Sequence, residues 1–165
     1  MKRAARGQGG GKIDVPAIAG DEVRLPEPPG LLAMRIVGHG LDLVEFESMR
    51  RLLTHAEVDF IEECFTQRER ARIPEGVHRL AHISGQFAAK EAVTKALGTG
   101  FSDSVSFSDV EIGRTEAGAP VVQLRGEAAA RATALGVDRW FVSISHGDTA
   151  AIASTIAVAF NDTSE

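Results

Sequence analysis

The sequence predicts an α+β domain: an antiparallel sheet packed against helices. Two observations carry this. A short apolar run is followed by three or four capped, amphipathic segments, and the C-terminal half then turns to hairpin-like pairs of alternating runs around one further helix. Runs of helices followed by antiparallel hairpins belong to α+β architectures. Its 165 residues fit a single domain. Eighteen basic residues against twenty-three acidic ones give a net charge of −5, which speaks against a generic nucleic-acid binder. The longest uncharged apolar run, Thr149 to Asn161, has thirteen residues, short of the roughly 20 that cross a bilayer. A single cysteine, Cys64, rules out an internal disulfide and a cysteine-cluster metal site. It reads as a buried structural thiol in a cytoplasmic protein without a secretory signal.

Residues 1–33 hold six of the seventeen glycines and four of the six prolines. Such a stretch buries too little apolar surface to offset its ordering entropy, so it reads as a flexible N-terminal tail. Met34 opens the domain, expected over 34–160, and 161–165 forms a short C-terminal tail. Met34–Gly40 reads as a strand ending in glycines. Asp42, three residues before Glu45, has the spacing of a helix N-cap with its reciprocal carboxylate. A helix with Phe46, Met49 and Leu53 on one face follows. Thr54 with Glu57 and Thr66 with Glu69 mark two further helix starts, and Pro74-Glu75-Gly76 breaks the chain. From Arg79 to Leu97 the apolar positions cover most of a helix circumference, as in a helix packed on nearly every side, and Gly98 ends it. Val105–Gly113 and Pro120–Arg125 read as strands, Gly126–Leu135 as a helix, and Arg139–Ser145 and Ala150–Ala159 as a second strand pair around the turn 146–149.

Lys90, Glu91 and Lys95 interrupt the apolar wall of the long helix. Glu91 and Lys95 share a face, with Lys90 turned by about 100°. A surface ion pair explains the first two, but charges in so packed a helix call for partners or a metal. Asp42 is likewise either a cap or a ligand. One carboxylate from a strand end and one from a packed helix make a typical Mg²⁺ arrangement, because magnesium completes its octahedron with waters and substrate phosphates. Ser143-Ile144-Ser145-His146 with Asp148 suggests a hydrolase triad, yet neighbours on a strand point to opposite faces. His146 is either a phosphate or hydroxyl contact at a strand end or a turn residue.

Three segments carry a family resemblance. Gly38-His39-Gly40-Leu41-Asp42-Leu43-Val44-Glu45, Phe87-Ala88-Ala89-Lys90-Glu91-Ala92-Val93-Thr94-Lys95-Ala96-Leu97-Gly98-Thr99-Gly100 and Ser143-Ile144-Ser145-His146 resemble the opening, central and closing motifs of the holo-acyl-carrier-protein synthases, which are 4′-phosphopantetheinyl transferases. With Phe65–Glu69 and Ser106–Ile112 the similarity covers residues 35 to about 158. It implies transfer of phosphopantetheine from coenzyme A to a serine of an apo-acyl carrier protein, releasing adenosine 3′,5′-bisphosphate, in fatty acid biosynthesis. It also implies a homotrimer with active sites shared between subunits. By motif position Asp42 and Glu91 are the expected Mg²⁺ ligands, with Asp42, Glu91 and Lys95 at the chemistry. Lys90 is expected close by, and His146 near the 3′-phosphate end of coenzyme A. Where the family often has arginine, this chain has Gln86, with Arg79, His78 or His82 as replacements. The family docks acidic carriers on a basic first helix; here Arg50 and Arg51 are accompanied by Glu45 and Glu47. Two alternatives follow: a transferase for a specialised, polyketide-type carrier, and a non-catalytic carrier-binding paralogue.

Overall fold

The computed structural model describes residues 33–101 and 105–161. The expected tails lie outside them, apart from Ala33 and Asn161. The elements are β1 (Ala33–Glu45), α1 (Phe46–Cys64), α2 (Gln67–Arg70), α3 (Arg79–Leu97), β2 (Val110–Arg114), β3 (Pro120–Leu124), α4 (Gly126–Ala134), β4 (Arg139–His146) and β5 (Ala150–Asn161). The α+β reading holds, with the strands in two antiparallel sheets: β1-β5-β4, and the separate ribbon β2-β3. β5 is paired along both edges, so neither edge is free to take the second hairpin.

Helix α3 is the axis of the domain. It lies on one face of the three-stranded sheet, and small side chains let it come close. β5 alternates Ala151, Ala153, Thr155 and Ala157, all fully or almost fully buried, with Ile152, Ser154 and Ile156 on the other face. Ala88, Ala89, Ala92, Val93 and Leu97 of α3 join Val110 and Ile112 of β2 and Ala128 and Ala132 of α4 in one core. A second core lies under α1, where Met49, Phe60, Cys64, Phe65 and Ile83 meet. The Cys64 thiol is buried as expected, and burial, followed by the charge of Glu63, pushes its pKa up to about 12.

Several boundaries differ from the sequence reading, each for a physical reason. Asp42 is not a helix cap. β1 continues to Glu45 because β5 pairs with it throughout, Asp42 opposite Ala153 and Glu45 opposite Ala150. The Phe46 N–H then donates to Thr149 O at 2.8 Å, so ladder pairing displaces local capping. Nor does Thr54 start a helix: its hydroxyl donates to Arg50 O at 2.8 Å, and α1 instead breaks at Ala56 (φ −147°, ψ 35°). β2 begins at Val110 rather than Val105, because Ser106 and Asp109 cap a 3₁₀ turn at Phe107–Asp109.

The Thr66–Glu69 capping box does form, and its glutamate has a second task. Glu69 is buried, accepts the Thr66 N–H at 2.8 Å and the Ile112 N–H at 2.7 Å, and lies 2.8 Å from the Lys90 ammonium. Lys90, fully buried, also donates to Phe107 O at 2.9 Å and to Val110 O. Burial lowers its pKa, and Glu69 opposes that shift. This buried pair ties α2, α3 and the start of β2 together.

Candidate active site

The first motif works through what its glycines leave out. On β1, Gly38, Gly40, Asp42 and Val44 share the face turned to α3. A Cβ on Gly38 would stand 2.0 Å from Ala96 O, and one on Gly40 would stand 1.8 Å from Ala92 O. Only glycine lets the strand lie directly on the helix backbone. Two residues beyond Gly40, the strand delivers the Asp42 carboxylate to the polar strip of α3. Asp42 Oδ1 is 2.7 Å from Lys95 Nζ, which also donates to Leu41 O at 3.2 Å. The partner of Lys95 is thus Asp42, rather than the Glu91 that helical spacing suggests.

Asp42 and Glu91 line one open cleft together with Val44, Glu45, Ser48 and Phe87. The Glu91 carboxyl is held above the usual carboxylate range, first by burial and then by the negative charge of Asp42, with Lys95 pulling the other way. Two carboxylates and one ammonium therefore meet at the junction of β1 and α3. The donor set is oxygen only, and the mutual repulsion of Asp42 and Glu91 is relieved by a cation between them. Among the described residues no group of three or more His, Cys, Asp or Glu converges on a metal-sized site. Two carboxylates with the remaining positions left to water and phosphate fit Mg²⁺, which needs no protein cage.

The other expected site residues lie apart from this cleft. His146, at the end of β4, lines a second cavity of about 290 Å³ with His78, His82, Gln86, Arg114 and Pro120. Two of the three expected substitutes for an arginine at position 86, His78 and His82, line that cavity with Gln86. The third, Arg79, does not; its guanidinium is ion-paired to Glu57 of α1. Lys90 is turned into the core and held by Glu69. Ser145 points away from His146, its neighbour on β4, so no serine–histidine couple forms. Sequence reasoning missed Arg114, which closes the histidine cavity, and Glu69, the partner of Lys90. The spacing of His78, His82 and Gln86, four residues at a time, was the available signal for the cavity.

Comparison with known proteins bears on the family and the fold. Residues 38–154 match the family model of the 4′-phosphopantetheinyl transferase superfamily. A holo-[acyl-carrier-protein] synthase of Natranaerobius thermophilus is 40% identical over 121 residues, which span 73% of this chain and 96% of that protein. The crystal structure of the Neisseria meningitidis holo-[acyl-carrier-protein] synthase superposes with a TM-score of 0.69 at 28% identity, covering 74% of this chain and 98% of the other. The Helicobacter pylori holo-[acyl-carrier-protein] synthase, solved in complex with coenzyme A, gives 0.64 at 27% identity, with coverage of 72% and 98%.

Proposed function

Because the chain belongs to the 4′-phosphopantetheinyl transferase superfamily, we propose that it transfers 4′-phosphopantetheine from coenzyme A to a serine hydroxyl of an apo-acyl carrier protein. The convergence of Asp42, Glu91 and Lys95 at the β1–α3 junction is the observation that carries this reading. In the reaction the serine oxygen bonds to the phosphorus that bears pantetheine. The bond from that phosphorus to the bridging oxygen breaks, and adenosine 3′,5′-bisphosphate leaves. The barrier is largely electrostatic, since the nucleophile approaches a polyanion. Glu91, or a water that it orients, takes the serine proton. Lys95, anchored by Asp42 and Leu41 O, places its ammonium where charge grows on the leaving phosphate. Asp42 and Glu91 would hold Mg²⁺, which when bound neutralises phosphate oxygens. Lys90 acts as a positioning residue: locked to Glu69, it fixes the rotation of α3 that turns Glu91 into the cleft. His146 contributes to a separate cavity for the 3′-phosphate end of coenzyme A.

The outer face of the three-stranded sheet supports a homotrimer. Leu41 (50% exposed), Leu43 (56%), Phe141 (47%) and Ile152 (37%) lie on the face away from α3. An apolar face of this kind marks an interface, and a second copy of the chain is the occupant that the family resemblance supplies. The carboxylate cleft and the histidine cavity are separate pockets within one protomer. That separation is compatible with sites completed by a neighbouring subunit. No helix among the described residues is long and apolar enough to cross a membrane, and we place the enzyme in the cytoplasm, supplying holo-carrier for fatty acid synthesis.

Incubation with coenzyme A, Mg²⁺ and an apo-carrier, read by intact mass, tests the activity. A phosphopantetheine adduct on the carrier that requires all three components is the expected result. Binding of carrier without any adduct would instead identify a non-catalytic paralogue. On α1, Arg50 is tied to Glu47 at 2.6 Å and followed by Glu57, Asp59, Glu62 and Glu63. A helix so acidic favours a carrier with a weaker negative face, so the test includes a polyketide-type carrier beside a fatty-acid one.

A further inference from the structure

The cavity beside His146 has an unusual charge pattern. His78, His82 and Gln86 enter it from successive turns of the helical segment at α3, Arg114 from β2, Pro120 from β3 and His146 from β4. No Asp or Glu lines it. Among its lining residues the one permanent charge is that of Arg114; the remaining positive charge must come from imidazoles. Gln86 is 5% exposed, and its side-chain oxygen is buried without a hydrogen-bond partner among the described residues.

We propose that this cavity binds the phosphate monoester of coenzyme A together with a proton that His82 takes up, so that affinity falls as pH rises. The inference rests on the coenzyme A reading above and adds the protonation that binding requires. A monoester carries nearly two negative charges near neutral pH, and Arg114 balances only one. Further positive charge in the cavity can come only from an imidazole, and a protonated ring meets the phosphate with a charge-assisted N–H. The charged groups around His82 set the sign. Arg114 from β2 and Arg72, which follows α2, repel a proton; Glu69 of α2 attracts one but is tied to Lys90. His78 and His146 line the same cavity and bring no negative charge to it. Burial first, and then the two arginines, hold His82 below the usual histidine range, so the ring is neutral in the free chain. A bound dianion cancels the arginine repulsion and raises the pKa of His82. A proton is therefore taken up with the ligand. Arginine acting on the phosphate alone would drive a proton off, the opposite sign.

Calorimetric titration of coenzyme A into the full chain, in buffers of different ionisation enthalpy at pH 7, counts these protons. We expect net uptake, and an affinity that falls by up to about tenfold per pH unit across the His82 transition. Dephospho-coenzyme A, which lacks the monoester, is expected to bind without uptake and with a flat profile, as is coenzyme A with His82→Gln. A direct measurement needs no variant: the His82 ring titration, followed by NMR, is expected to move to higher pH when coenzyme A binds. Coenzyme A binding without uptake, uptake that persists with dephospho-coenzyme A or in His82→Gln, or an unmoved His82 midpoint would each overturn the proposal. Failure of coenzyme A to bind at any pH would instead remove the functional reading beneath it.

Discussion

At the scale of single residues, the proposed site trades stability for chemistry, and the sign is open to measurement. Glu91 has a folded-state pKa raised by burial and by Asp42. Its ionisation therefore costs native stability as pH rises from the ordinary carboxylate value through the folded one, and that cost persists at neutral pH. Glu91→Gln removes both burdens, so the metal-free variant is expected to melt at or above the temperature of the wild type. Mg²⁺ is expected to raise the melting temperature of the wild type and not that of the variant. Turnover is expected to fall by about 10² to 10³, the scale for losing one electrostatic contributor to a transition state. Asp42→Asn is expected to lose a similar factor, partly restored by higher Mg²⁺. Its stability changes by less than about 1 kcal/mol, because the pair with half-exposed Lys95 is weak. Lys95→Ala is expected to show a lowered kcat that added Mg²⁺ does not restore. Wild-type turnover in both carboxylate variants, with folding intact, would dismiss the site. These three residues were legible because the motifs carry their identities. Their pairing was not: whether Lys95 meets Glu91 or Asp42 depends on where β1 lies against α3, and helical spacing alone favours the wrong partner.

Between elements, the decisive contact is β1 on α3, and two substitutions probe it from opposite sides. Gly40→Ala places a methyl group 1.8 Å from the Ala92 carbonyl oxygen, which is backbone and cannot swing aside. The strand must lift, so a loss of about 3 kcal/mol or more is expected, the upper range for overpacking, with activity falling further as Asp42 retreats from Glu91. Denaturant unfolding that shows no change would refute this packing. Lys90→Met tests the other side of α3. It leaves Glu69 buried without its cation, and losing one partner of a buried pair costs about 3–5 kcal/mol. If Lys90 instead touched coenzyme A directly, the variant would keep its stability and lose only substrate affinity. The sequence located α3 and its C-terminal end, since its apolar circumference and Gly98 define both its burial and its end. It misplaced the start of α1 because the Asp42–Glu45 spacing satisfies a cap locally, while a strand more than a hundred residues later offers β1 a continuous ladder. Long-range pairing of that kind leaves no mark in a local window. The Thr66–Glu69 box was read correctly for the complementary reason: every atom that forms it lies within four residues.

For the whole molecule, the first residues of the chain and the open sheet face make separate predictions. A chain starting at Met34 is expected to keep its melting temperature and turnover, because residues 1–33 lack a core-forming pattern; a drop of several degrees would show that they pack. The sheet face was only half legible. The alternation of β5 announces one face of small residues and one of larger ones, but which face meets α3 depends on the glycines of β1. In the fold the small side of β5 is the one covered, which leaves Leu41, Leu43, Phe141 and Ile152 outward. Phe141→Lys puts a charge on that face from β4, without touching α3 and away from the carboxylate cleft, which Leu43 lines. If three copies associate through this face, the variant is expected to be a folded monomer by light scattering at micromolar concentration, with the wild type a trimer. Its loss of turnover then separates two kinds of site. A site completed by a neighbour loses most of its activity on dissociation and recovers it as protein concentration rises. A site contained in one protomer keeps its rate per chain at every concentration. A wild type that is already monomeric at micromolar concentration would remove both the trimer and the shared site, and would leave the carboxylate cleft to work within a single chain.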